Sequence, residues 1–260
     1  KAWRVPAPRF EEKVSSPTPE QLGNDGPHRR MVADYRRFVD DLIHEKYQAA
    51  AEKIRALDPR HLVSFRMTVT GDPTFKGDLQ MPYDFMGVAR SMDFLAPEGY
   101  GRIGDWNQIK PGIFTAAYAR YCAPDKPVLW AEAGVHVWNN QIMRVDPELL
   151  EYQGRFYENF YRMVLESYSS GVVWWWYPGG YRANEQSDYG LINPDGTDRP
   201  ATKAIRRNAA RVLAERTIPQ PDMWIEIDRD ADARGLCGMY ERVKDAFWQA
   251  FDSGRFPGLR

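Results

Sequence analysis

Short apolar runs alternate with long amphipathic ones along this chain, which is the pattern of successive β/α units and not of separate strand and helix regions. Ala2-Trp3-Arg4-Val5 reads as a strand, followed by a polar, Pro-rich loop to about Gly26. Val32, Tyr35, Phe38, Val39, Leu42 and Ile43 recur at helical spacing and predict a helix from about Arg30 to Leu57, ended by Asp58-Pro59. His61 to Met67 is the next strand, a Gly- and Pro-containing loop runs from Thr70 to Pro82, and Asp93 to Ala96 is a further short strand. A helix from about Gly112 to Cys122 leads into the apolar run Pro127 to Ala131, and a longer helix from Pro147 to Ser169 leads into Gly171 to Tyr177. Both runs are near-continuously hydrophobic, as parallel strands buried on both faces are. A turn-rich segment from Gly190 to Thr197 then precedes a helix starting near Pro200, proline being suited to a first helical turn.

Beyond about Ile218 the pattern changes. Met223 to Ile227 reads as an isolated strand and Asp232 to Phe251 as an amphipathic helix, so the predicted division is a barrel-type unit over 1–217 and a C-terminal extension, or the start of an accessory domain, over 218–260.

The charge balance narrows the partners. Thirty-five basic and 36 acidic residues nearly cancel, and no block of like charge points to nucleic acid or to an anionic membrane surface. No apolar run approaches the roughly 20 residues that span a bilayer, and the first residues lack the pattern of a signal peptide. The two cysteines, Cys122 and Cys237, have no partner at metal-ligand or redox spacing, and no His or carboxylate cluster has zinc spacing. A Gly-rich phosphate loop and a Gly-x-Ser-x-Gly elbow are also missing from the sequence. Nine tryptophans and 14 tyrosines exceed what a core of this size needs, and they raise a carbohydrate ligand above other polar ones, since ring faces pack on the C–H face of a pyranose.

Three pieces carry a resemblance. Asp93 to Tyr100 resembles a sixth barrel strand ending in an active-site tyrosine. Pro127 to Gly134 resembles a seventh strand, Lys-Pro-(apolar)-x-x-Glu-x-Gly, and Gly171 to Ala201 resembles an eighth strand with its tryptophan and a Tyr-Gly-Leu-x-x-x-Asp-Gly-Thr-x-Arg-Pro-Ala closure. Together they look like the C-terminal half of clan A (β/α)8-barrel glycoside hydrolases, the family 5 cellulases and mannanases in particular, over roughly residues 30 to 215. The resemblance implies a TIM-type barrel of which strands four to eight lie in this chain. It also implies retaining hydrolysis of a β-linked poly- or oligosaccharide with no cofactor and no metal, and it favours a secreted or periplasmic location.

Glu132 is the candidate nucleophile. A carboxylate at the C-terminal end of a buried parallel strand sits on the face where barrel active sites form; the competing role is a loop cap or a partner for an arginine such as Arg66. Gly134 suits the sharp turn that must follow. By resemblance Tyr100 orients Glu132 through a hydrogen bond, while Glu98 stands where the family often has histidine. Strand alternation puts Trp174 and Trp176 on one face, and Trp176, nearer the strand end, corresponds to the family's sugar platform. Trp138, His136 and Asn184 are further substrate-contact candidates on loops at that face, with Trp106, Tyr181, Glu185 and Asp188 weaker ones; capping and packing are the alternative for each.

Retaining hydrolysis needs a second carboxyl group. The family carries it in Asn-Glu at the end of strand four, and here Ala7 or Pro8 stands near that place. Glu11, with Glu12 beside it, is the nearest candidate. Five strands cannot close a barrel of normal shear, so a polypeptide segment carrying strands one to three, upstream or on another chain, is the expected completion; an open doubly wound sheet is the competing fold. Three functions stay open: a glycosidase, an inactive carbohydrate-binding barrel, and an aromatic-rich module that binds protein.

Overall fold

The computed structural model describes residues 16–66, 73–74, 83–100, 104–214 and 216–260. The strand expected at Trp3, the carboxylates Glu11 and Glu12, and most of the loop from Thr70 to Pro82 lie outside them. Helix α1 (Pro19–Gly23) opens with a capping box in which Thr18 and Gln21 exchange side-chain and backbone hydrogen bonds. Helix α2 (Arg29–Leu57) follows and ends at Asp58, whose carboxylate accepts from the backbone N–H groups of Arg60 and His61.

The buried stripe of α2 differs from the one its apolar spacing suggests. Val32 and Val39 are buried, but so are the charged Arg36 and Asp40, whereas Phe38 and Leu42 are exposed. The reason lies outside the helix: Arg229 donates to Asp40 and to Asp84, so the neighbouring surface is ionic and selects the charged side of the helix.

Three short helices and one long one come next: α3 (Phe85–Ala89), N-capped by Asp84, α4 (Trp106–Ile109), capped by Asp105, α5 (Gly112–Cys122), and later α6 (Pro147–Glu166), N-capped by Asp146. Between them runs the expected parallel sheet. Residues near 63–66 bridge residues 94–96 at Arg66 and Ala96, and Asp93 N–H donates to Val63 carbonyl at 2.9 Å. Residues 95–98 pair in turn with β1 (Leu129–Ala133), through the bridges Leu95 to Val128 and Glu98 to Glu132. After the hairpin β2 (Trp138–Asn139) and β3 (Arg144–Val145), which has no alternating pattern in the sequence, β4 (Gly171–Trp174) pairs in parallel with β1. The described residues thus form an arc of four parallel strands.

Helices α5, α6 and α7 (Pro200–Leu213) cover one face of the arc. Trp130 packs edge-on against Phe160 and donates to Ser169 Oγ, and Trp174 stacks on Tyr157 at 4.0 Å and donates to Tyr161 hydroxyl. On the other face Val173 is 53% exposed.

The last segment is not built around an isolated strand. β5 (Met223–Ile225) pairs in parallel with β6 (Pro257–Leu259), the two flanking α8 (Leu236–Asp252). A Pro-Gly-containing tail gives no strand signal, so only the fold reveals that pairing. The helix begins four residues later than its amphipathic pattern suggests, since Asp232 is tied to Arg234 and Gly235 adopts φ +57°. Phe114 of α5 meets Tyr240 and Phe247 edge-on at 4.8 and 5.0 Å, so this segment shares one hydrophobic core with the barrel helices.

Candidate active site

Glu132 reaches its position through an irregularity. Strict alternation would put it on the same face as Trp130, among the helices. The β1 to β4 register slips between Trp130 and Ala133, so both of those side chains face the helices while Glu132 is released to the strand-end surface. Behind it, Gly134 is enforced: a Cβ there would lie 2.3 Å from the carbonyl oxygen of Trp175.

Two groups engage the Glu132 carboxylate, and a second carboxyl group lies beside them. Tyr100 hydroxyl hydrogen-bonds Glu132, and burial together with this bond and the Glu132 charge pushes the phenol pKa far above its ordinary value, so the ring stays protonated as a donor. Arg66, from the parallel segment on the far side of residues 94–98, donates through Nη1 to Glu132 Oε2. The same guanidinium approaches Glu98, with Nε 2.9 Å from Oε1. That contact is off the hydrogen-bonding line, so Glu98 Oε1 is buried with no hydrogen bond, although the side chain is only 8% exposed. Burial, reinforced by the charge of Glu132 and opposed by Arg66, raises the Glu98 pKa above the usual glutamate value.

Tyr189 joins this corner without having been singled out in the sequence. It is half-buried, feels the charges of Glu185 and Glu132, and would sit 3.2 Å from a Cβ at Gly134. Its position next to the Tyr-Gly-Leu closure is the one signal that could have pointed to it.

The tryptophans divide differently from simple alternation. Strand β4 ends at Trp174, which faces α6, whereas Trp176 is exposed and so does not share its surroundings. Trp175 N–H bonds Ala133 carbonyl at 2.8 Å and continues the ladder, so its ring takes the face opposite Trp174, the open one. Arg182 lies over both Trp175 and Trp176, at 5.0 and 4.4 Å from the ring centroids. Trp175 therefore belongs to the site side of the strand, not to the core.

Among the loop candidates, Trp138 stacks obliquely on Tyr181 at 4.6 Å, His136 is exposed beside Tyr189, and Asn184 is exposed in the loop after β4. Trp106 lies under Arg162 at the start of α4. Asp188 is structural: it is wholly buried against Arg199 and accepts from the N–H groups of Gly180 and Gly190. Gln153 of α6 donates to the carbonyls of Val135 and Gly190, tying together the loops that follow β1 and β4.

An arc of parallel strands under helices, with a carboxylate, a phenol and aromatic rings at the strand ends, is a partial TIM-barrel fold. Solved structures agree on that fold. The GH5_18 protein of Streptomyces cattleya in complex with GlcNAc superposes with a TM-score of 0.58 at 18% identity, over 92% of this chain and 68% of that one. A GH5_18 protein of Bifidobacterium longum subsp. infantis gives 0.57 at 18% identity, over 83% and 54%. The β-galactosidase of the psychrophilic Marinomonas ef1 gives 0.58 at 12% identity, over 89% and 38%. The chain thus spans between about a third and two thirds of these proteins. No protein-family model matches the sequence, and no curated protein matches it.

Proposed function

We propose that this chain is the catalytic half of a retaining glycoside hydrolase that cleaves a β-linked poly- or oligosaccharide by double displacement, with Glu132 as nucleophile. The observation that carries this reading is the Tyr100 to Glu132 hydrogen bond at the C-terminal ends of adjacent parallel strands. The phenol donates to the carboxylate and orients it for attack on an anomeric carbon. Strands four to eight of the barrel belong to this chain, and a polypeptide segment carrying strands one to three completes it. Trp176, Trp138, His136, Asn184 and Glu98 supply sugar contacts around the nucleophile, with Trp175 added on the open face.

Manβ1-4GlcNAc is bound by a variant of the Streptomyces protein, which makes aryl β-mannosides the first substrates to test. Glu132→Gln should abolish release of the aryl group, and unchanged hydrolysis would refute the nucleophile assignment. The contact of Arg66 with Glu132 favours a second reading, an inactive barrel that binds carbohydrate. Oligosaccharide binding with no turnover by the unsubstituted protein would establish that reading instead.

A further inference from the structure

Two carboxyl groups, not one, stand at this strand end. Glu98 and Glu132 are bridge partners on adjacent parallel strands, and one guanidinium, that of Arg66, touches both. The two carboxyl groups are therefore held within the span of a single side chain's head, compatible with the roughly 5–5.5 Å that retaining enzymes use. The buried Glu98 carries an oxygen with no hydrogen bond, whereas Glu132 is engaged by Tyr100 and Arg66. Glu185, the other carboxylate whose charge reaches this corner, is paired with Arg182.

Resting on the glycosidase reading above, we propose that Glu98 is the general acid and base that works with Glu132. In the first step a Glu132 oxygen bonds to the anomeric carbon, the bond from that carbon to the glycosidic oxygen breaks, and the departing oxygen takes the proton of Glu98. In the second step a water oxygen attacks the anomeric carbon, Glu98 takes a proton from that water, and the bond to Glu132 breaks. The electrostatics suit the first step: burial and the Glu132 charge favour protonated Glu98, and Arg66 alone opposes them among the groups acting on it. When Glu132 is neutralised in the glycosyl-enzyme, that repulsion disappears and the carboxylate form needed for the second step is favoured. Arg66 is 58% exposed, so a substrate entering from solvent meets it first.

The test uses the whole chain with aryl β-mannosides of differing leaving-group acidity. Glu98→Ala should lower kcat for the poorer leaving groups by about 10²–10⁴-fold. With a 2,4-dinitrophenyl leaving group a burst should appear, because departure no longer needs an acid while hydrolysis still needs a base. Azide should restore turnover of Glu98→Ala and give the β-mannosyl azide, which also demonstrates that the variant is folded. Glu98→Gln should lose the basic limb of the pH profile. Rates within twofold of the unsubstituted protein, or azide rescue by Glu11→Ala and not by Glu98→Ala, would overturn the assignment while leaving Glu132 intact. No turnover by the unsubstituted protein would overturn both.

Discussion

Asp188 and Arg199 form a two-pronged ion pair, 2.9 and 2.7 Å, with neither side chain exposed to water. Asp188 also anchors the N–H groups of Gly180 and Gly190, and Arg199 reaches Gly190 carbonyl and Asn193, so the pair pins the whole loop after β4. The Asp-Gly-Thr-x-Arg closure carries half of this device in its arginine.

Removing either partner strands a buried charge. Arg199→Met and Asp188→Ala should each cost about 3–5 kcal/mol, read as a fall in the denaturation midpoint, whereas Asp195→Ala in the exposed turn nearby should cost little. Equal small losses at all three positions would show that the pair is not buried in solution. Burial raises the Asp188 pKa, but Arg199 and the two N–H donors outweigh it and hold the carboxyl below the ordinary aspartate range. Its contribution is thus present above about pH 4, the unfolded value, and fades as pH falls through the depressed folded value. Asp232, held down by Arg234 against its burial, acts in the same direction. Stability should therefore decline on acidification below about pH 4, and Arg199→Met should flatten that decline.

Arg229 ties the C-terminal segment to α2 and α3 through Asp40 and Asp84. Arg229→Met leaves two carboxylates buried together and should destabilise the entire molecule by about 3–5 kcal/mol. Loss of α8 signals alone in hydrogen exchange, with the barrel helices protected as before, would mean that residues 218–260 fold as a separate unit.

At Gly134 the added methyl of Gly134→Ala would collide with the Trp175 carbonyl, a backbone atom that cannot swing aside. Overpacking of this kind costs about 1–3 kcal/mol. Because the displaced backbone carries Glu132 and Trp175, saccharide binding should weaken along with the melting temperature. An unperturbed melting curve would contradict the close approach of β1 and β4.

Tyr100→Phe deletes one hydrogen bond to a charged group, worth about 1.5–3 kcal/mol. Hydrolysis of an aryl β-mannoside should slow by about 10–100-fold with folding intact, as Glu132 loses the donor that orients it. A change in KM alone would assign Tyr100 to substrate binding.

Much of the arrangement was legible in the residues. The helices over 29–57, 112–122, 147–166 and 200–213, the strands 129–133 and 171–174 and the bridged segment around 94–98 follow from apolar spacing, because local burial demands repeat at the period of each element. Glu132 and Tyr100 were legible as strand-end residues of recognisable pieces. The buried side of α2 was not, since Arg36 and Asp40 face a network completed by Arg229 almost 190 positions along the chain.

Sequence alone determined the β/α order and the strand that delivers Glu132, both consequences of repeated patterns, and the resemblance to family 5 hydrolases implied the tyrosine that meets it. Tertiary structure decided which face each strand-end side chain takes. The slip between Trp130 and Ala133 turns Glu132 toward the site, the end of β4 at Trp174 hands the open face to Trp175, and the parallel pairing sets Glu98 beside Glu132 under Arg66. Register and strand irregularity depend on neighbouring strands, and a displacement of one residue exchanges the two faces, so periodicity along a single strand cannot fix them.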